Sequence, residues 1–167
     1  NNIMLSRYGL RVATEGVAMV HNLILGAFTM VGSGVDNWVD GREQRRYTPY
    51  HIRHRTEVAG MMTILHGDNR FYNNIFVQGH PITNEEPKES PFHQQVGTHV
   101  WDEYPTYKEW IAKFDMEEEK PDMGKLEPAH FSHLPVWADG NVYLAGAKAW
   151  KKEKHNLVKD DADVQIE

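Results

Sequence analysis

The sequence predicts a mainly β fold in which short strands stack as the coils of a solenoid, with one helix inserted. The first of three observations is a repeat. Asn22-Leu-Ile-Leu-Gly26 is echoed by Asn74-Ile-Phe-Val-Gln-Gly79 and by Asn141-Val-Tyr-Leu-Ala-Gly146. Each unit is an asparagine, a short β-prone apolar run and a glycine, which suits a buried strand bounded by turn residues. Repetition of that unit predicts stacked coils with asparagine side chains laddering between them. Second, turn residues punctuate the chain at Gly67-Asp68-Asn69 and Asp139-Gly140. Third, Thr106-Tyr-Lys-Glu109 follows Pro105 and forms a capping box, so the helix is expected near 107–118.

Taken in order, Gly16 to Phe28 has helical spacing at Val17, Val20, Ile24 and Phe28. The downstream echo and the glycines that punctuate it favour strand. Val58 to Leu65 reads as a further strand, and Arg70 to Val77 as the next after a turn. The distance between the Asn22 and Asn74 units would hold two coils, one of them carrying a long loop. His80 to Gly97 is polar and proline-bearing, a surface excursion. The helix presents Trp110, Ile111 and Phe114 on its apolar side. Lys148 to Lys154 reads as solvated charge, and His155 to Glu167 as the start of another strand region. Three regions follow: 1–80, coils carrying the catalytic loop; 81–133, an excursion with one helix; and 134–167, further coils and flanking strands. They form one domain, expected to be a fragment of a longer chain.

With 40% hydrophobic and 25% charged residues the composition is that of a globular protein. A net charge of −6 leaves no basic excess for phosphates, which argues against nucleic acid. The sequence has no cysteine, so disulfides and thiolate metal sites are excluded. No apolar run reaches the roughly 20 residues of a membrane span. The compartment stays open between cytoplasmic and secreted bacterial.

The chemistry concentrates in Val35 to Val58. Asp36 follows Gly32-Ser33-Gly34, where backbone can approach a ligand closely, and Asp40 precedes Gly41. Glu57 stands among His51, Arg53, His54 and Arg55, with Trp38, Tyr47 and Tyr50 between the two acids. Paired carboxylates with flat aromatic and cationic neighbours are what glycosidic bond cleavage needs: an acid or base, a nucleophile, and faces for a sugar ring. In an extended segment His51, Arg53, Arg55 and Glu57 would share one face, either a surface ladder of ion pairs or a cleft wall. Trp38, beside Asp36 in a polar loop, is the aromatic placed at the site; His51 and His54 are candidate sugar contacts. Histidine pairs such as His51 and His54 lack a third ligand at zinc spacing, and Asp160, Asp161 and Asp163 lack the calcium-loop pattern, so no metal is expected. No phosphate-binding glycine loop is present, so no organic cofactor is expected either.

These residues resemble the β-xylosidases of glycoside hydrolase family 120. The resemblance lies in Gly16-Val-Ala-Met-Val-His-Asn-Leu-Ile-Leu-Gly26, Arg46-Tyr-Thr-Pro-Tyr-His51, His54-Arg-Thr-Glu-Val58 and Leu65 to Val77, with Leu134-Pro-Val-Trp137 and Gly140 to Lys148 later. It implies a right-handed parallel β-helix with a flanking β region. It implies retaining hydrolysis of β-xylosides or xylo-oligosaccharides, with Asp36 (Asp40 second) as nucleophile, Glu57 as acid/base and Glu15 as an accessory carboxylate. Family enzymes are several times longer, which leaves room for a completing chain or a homo-oligomer. The rival expectations are a non-catalytic β-helix module for sugar binding or assembly, and a β-helix polysaccharide lyase.

Overall fold

The structure is a computed structural model and describes residues 1–30, 47–83, 93–114 and 131–165, together with the backbone of 38–39 and 42–43. The chain begins with β1 (Ile3–Met4) and β2 (Tyr8–Val12), then repeats the path through β3 (Ala18–Val20), β4 (Leu23–Ile24) and β5 (Ala27–Met30). Two antiparallel hairpins follow, β6 (Trp38–Val39) with β7 (Arg42–Glu43) and β8 (Tyr47–His51) with β9 (Val58–Thr63). The path resumes in β10 (Asn69–Tyr72) and β11 (Ile75–Val77), passes the helix α1 (Tyr107–Ile111), and ends in β12 (Val136–Asp139), β13 (Val142–Leu144) and β14 (Leu157–Lys159).

Three sheets result, each with parallel neighbours: β1-β4-β11-β13-β14, β12-β10-β3 and β2-β5. The chain visits them in the same order on each pass, and equivalent residues fall in register. Ile24, Phe76 and Tyr143 align across β4, β11 and β13 and are fully buried. The Phe76 and Tyr143 rings stack with centroids 5.0 Å apart, close to the separation of adjacent strands. Phe28, Phe71 and Trp101 complete an aromatic interior, with Phe71 and Trp101 centroids at 4.6 Å.

The expected asparagine ladder is present and runs further than the repeat suggested. The side-chain oxygen of Asn22 accepts from the Asn2 backbone N–H at 2.9 Å, that of Asn74 from Asn22 at 3.0 Å, and that of Asn141 from Asn74 at 2.9 Å. Each amide thus bonds the next coil's carbonyl-like oxygen, which satisfies polar groups that would otherwise be costly to bury. The residue before each buried asparagine turns the corner in the left-handed region: His21 at φ 56°, Asn73 at 53° and Gly140 at 68°. That corner divides the expected strand from Arg70 to Val77 into β10 and β11.

Three sequence expectations are corrected. Asn22 and Asn74 belong to adjacent coils, since β4 pairs directly with β11. Between them in the chain, β8 and β9 pair antiparallel with each other rather than adding a coil to the stack. The segment 148–154 is not merely solvated charge: Trp150 and Glu153 are buried. Glu153 accepts from the backbone and side-chain amides of Asn141 at 3.2 and 2.8 Å and from the Tyr143 hydroxyl at 2.7 Å. It takes the place that the next asparagine, Asn156, would have filled, and Asn156 is exposed. The third correction concerns 51–57 and is described with the site.

The capping box forms as expected: Thr106 accepts from the Glu109 backbone, and Glu109 accepts from that of Thr106. Lys152 bridges Glu109 at 2.7 Å, and together with the cap this holds the Glu109 carboxyl down at about 2. The α-helical turns end at Ile111 and tighten into a 3-10 turn, Ala112–Phe114; 115–118 lie outside the described residues.

Candidate active site

Of the expected catalytic-loop residues, His51, His54 and Glu57 fall on the β8–β9 hairpin, which lies in the chain between two neighbouring coils. Asp36 and Asp40 lie outside the described residues, and of Trp38 the backbone is described, in β6 paired with Glu43. His51, His54 and Glu57 lie at the far end of the β8–β9 hairpin, where 51–59 are exposed. The alternating row expected there does not form. The Arg55 backbone N–H reaches the Ile52 carbonyl at 2.9 Å and His54 adopts φ 60°, so 52–55 is a turn. A tight turn breaks the period of two on which a shared face depends. The His51 Nδ1–H donates to the Thr56 carbonyl at 2.9 Å across that turn. Glu57 stands in solvent just before β9. From there to Thr63 the strand advances roughly 16–20 Å at about 3.3 Å per residue.

The other end of the hairpin meets the coils at Glu15. Glu15 forms a parallel bridge with Gly67, and the Gly16 backbone N–H donates to the Gly67 carbonyl at 3.0 Å. Its carboxyl is half-buried. Burial pushes it above the usual carboxylate range and the nearby Asp68 charge reinforces this, against a lowering hydrogen bond from the Leu65 backbone. Glu15 lines a cavity of about 440 Å³. Its remaining lining comes from Tyr47, Met61, Met62 and Thr63 of the hairpin, from Leu65, and from Trp110, Phe114, Phe131 and Leu134.

The family resemblance named Glu15 as an accessory carboxylate, and sequence reasoning missed this cavity. The signal was partly visible in Trp110 and Phe114, four apart on the helix face, whose rings meet edge-on at 4.9 Å and 64°. Tyr47 and Tyr50 are exposed on the hairpin, whereas Trp101 is core. Next in the chain after Gly67, Asp68 pairs with Arg70 at 2.8 Å, and that guanidinium sits 4.3 Å over Trp137. Among the described residues no three His, Asp or Glu side chains converge as a metal site.

The fold and this geometry can be set beside known proteins. A solved structure of XylC in complex with xylose matches 96% of this chain with a TM-score of 0.66 and 34% sequence identity. The chain spans about a fifth of that structure's length, 21% of the XylC chain. Identity at that level over almost the whole chain makes the shared mainly β architecture more than a coincidence of sheet topology. No protein-family model matches the sequence, and no curated protein does.

Proposed function

We propose that this chain is part of a glycoside hydrolase of the β-xylosidase type, folded as a right-handed parallel β-helix and acting on β-xylosides with retention of configuration. The observation that carries the reading is the match to the xylose-bound XylC over nearly the entire chain. Two features support it. The in-register parallel strands, stacked with an asparagine ladder between them, suit a β-helix. The β8–β9 hairpin, which bears His51, His54 and Glu57 at its turn end, meets the stack at its other end near the Glu15–Gly67 bridge.

In the proposed reaction Glu57 protonates the departing glycosidic oxygen while Asp36 attacks the anomeric carbon, forming a glycosyl ester. Glu57, now a carboxylate, removes a proton from water, which attacks the same carbon and releases xylose and Asp36. Trp38, His51 and His54 contact the sugar, whereas Glu15, at the opposite end of the hairpin from Glu57, stays outside this step. No metal or organic cofactor takes part. A retaining site needs its two carboxyl groups about 5–5.5 Å apart. The exposed position of Glu57 favours one rival, a non-catalytic coil segment serving sugar binding or assembly.

Hydrolysis of 4-nitrophenyl β-xyloside by the chain, beside Asp36→Asn and Glu57→Gln, separates the two. Catalysis through this pair predicts loss of turnover by roughly 10²-fold or more in each variant, the scale of a removed acid/base or nucleophile. Unchanged turnover in both variants would end the site assignment, and no turnover by the unaltered chain would favour the binding segment.

A further inference from the structure

A second cavity, of about 450 Å³, borders the free edge of β12 and shares no lining residue with the one beside Glu15. Its origin lies in the ladder. β12 has a strand partner, β10, on one side only. The next coil rejoins the stack where the Gly140 N–H donates to the His155 carbonyl at 2.7 Å, and then in β14. Residues 152–154 would have extended the sheet beside β12, but Glu153 turns inward to Asn141 and Tyr143 and no strand forms there. A gap remains along β12, lined also by Lys152 and Lys154 and by Thr106, Tyr107 and Lys108 at the start of the helix.

Three kinds of group face a ligand here. Tyr107, 51% exposed, lies near-parallel to Trp137, with centroids 6.2 Å apart and planes at 25°. So exposed a ring offers a flat apolar surface to the C–H face of a pyranose. The Ala138 side chain packs on the core, so its backbone borders the gap. The Val136 N–H leaves the sheet for the Pro105 carbonyl at 2.9 Å. Alternate residues of an edge strand aim their backbone groups the same way, which turns the Ala138 N–H and C=O outward as donor and acceptor for sugar hydroxyls. Finally, the ammonium groups of Lys108, Lys152 and Lys154 line the gap against one carboxylate, Asp139, in a chain of net charge −6. Lys152 is held by Glu109 at 2.7 Å, and Asp139 by His155 at 2.9 Å. Lys108 and Lys154 are exposed and make no ion pair among the described residues.

We propose that this gap binds a sugar acid: a uronic acid unit whose ring lies on Tyr107, whose hydroxyls bond the Ala138 backbone, and whose carboxylate pairs with Lys108 and Lys154. The volume of about 450 Å³ lies within the usual range for small-molecule sites. A neutral xylose chain would leave both ammonium groups unused. In a chain acting on xylose-containing saccharides the acid arrives as a branch on a xylo-oligosaccharide, and that part of the assignment rests on the glycosidase reading. The site holds its ligand and does no chemistry on it.

Calorimetry at low salt, which needs no turnover, compares xylotriose carrying one glucuronosyl branch with unbranched xylotetraose. The acidic compound is expected to bind about 10-fold more tightly, the scale of two surface charge pairs. Lys108→Ala and Lys154→Ala should each remove about 3-fold of that preference, and about 0.5 M NaCl most of it. Tyr107→Ala should weaken both ligands by about 5-fold, the scale of one lost ring contact. Tyr107, Lys108 and Lys154 are all exposed, so their truncation leaves the core intact. Lys113→Ala, just past α1 and outside the gap, should bind as the parent does. Equal affinity for the acidic and neutral compounds, or full acidic affinity in Tyr107→Ala and in both lysine variants, overturns the proposal. Free glucuronate is the arm that stands apart from the glycosidase reading. If it binds and both lysine variants weaken it, the sugar-acid site is sustained even where the chain hydrolyses no xyloside. Xyloside hydrolysis without any acidic preference would overturn the site and leave the glycosidase reading standing.

Discussion

Replacing Asn74 by alanine tests the ladder at its middle. The Asn74 side-chain oxygen accepts from the Asn22 backbone N–H at 3.0 Å and its side-chain amide at 2.9 Å. Its amide donates to the Met19 carbonyl at 2.8 Å and to Asn141 at 3.0 Å. Asn74 is fully buried, so water cannot replace these partners without entering the interior. The Asn74 backbone N–H keeps its bond to Asn141, but the Asn22 backbone N–H and the Met19 carbonyl lose theirs. At about 1–3 kcal/mol for each buried group left unpaired, with the small cavity, the loss is about 3–5 kcal/mol. For a domain of this size each kcal/mol lowers Tm by roughly 2–4 °C, so a fall of about 6–20 °C is expected. Urea titration and thermal melting followed by circular dichroism measure it. Asn156→Ala is the internal control. Its side chain is exposed and Glu153 occupies its ladder place, so its effect should stay within about 0.5 kcal/mol. An Asn74→Ala protein within about 1 kcal/mol of the parent, or equal losses at 74 and 156, would refute the ladder's energetic role.

Two further outcomes follow from other parts of the fold. Glu15 has a raised carboxyl pKa, so the folded chain holds its proton where the unfolded chain has released it. Its contribution to stability therefore declines as pH rises from the ordinary carboxylate value through the raised one; Glu15→Gln should flatten that part of the pH–stability curve, and an unchanged curve would discount the burial of this carboxyl. Gly97 sits at φ 128° against the Lys148 backbone in a parallel bridge, so Gly97→Ala adds a methyl where neither conformation nor space allows it. A loss of more than about 3 kcal/mol is expected in urea melts, and a near-neutral result would mean the two segments do not pair this closely.

The sequence by itself determined the asparagine-led strand units, because these depend on local chemistry, whereas the left-handed corners that split the expected strands at His21 and Asn73 showed only in the structure. Asn22, Asn74 and Asn141 each follow a residue that turns left-handed, precede an apolar run, and so repeat one coil. The capping box at Thr106 and Glu109 was legible for the same reason: both halves of the interaction lie within four residues. Which coils touch was decided only in three dimensions. Neighbouring coils are recognised by register and by the Asn22 to Asn74 bond, neither of which depends on the number of residues looped out between them. The substitution of Glu153 for an asparagine in the ladder was hidden because a glutamate between lysines looks solvated until its three donors are assembled around it. The same holds for the cavity at Glu15. Its walls come from the hairpin, the helix and the segment before β12, and packing between distant segments, rather than any local pattern, brings Met62, Trp110 and Leu134 around one carboxyl.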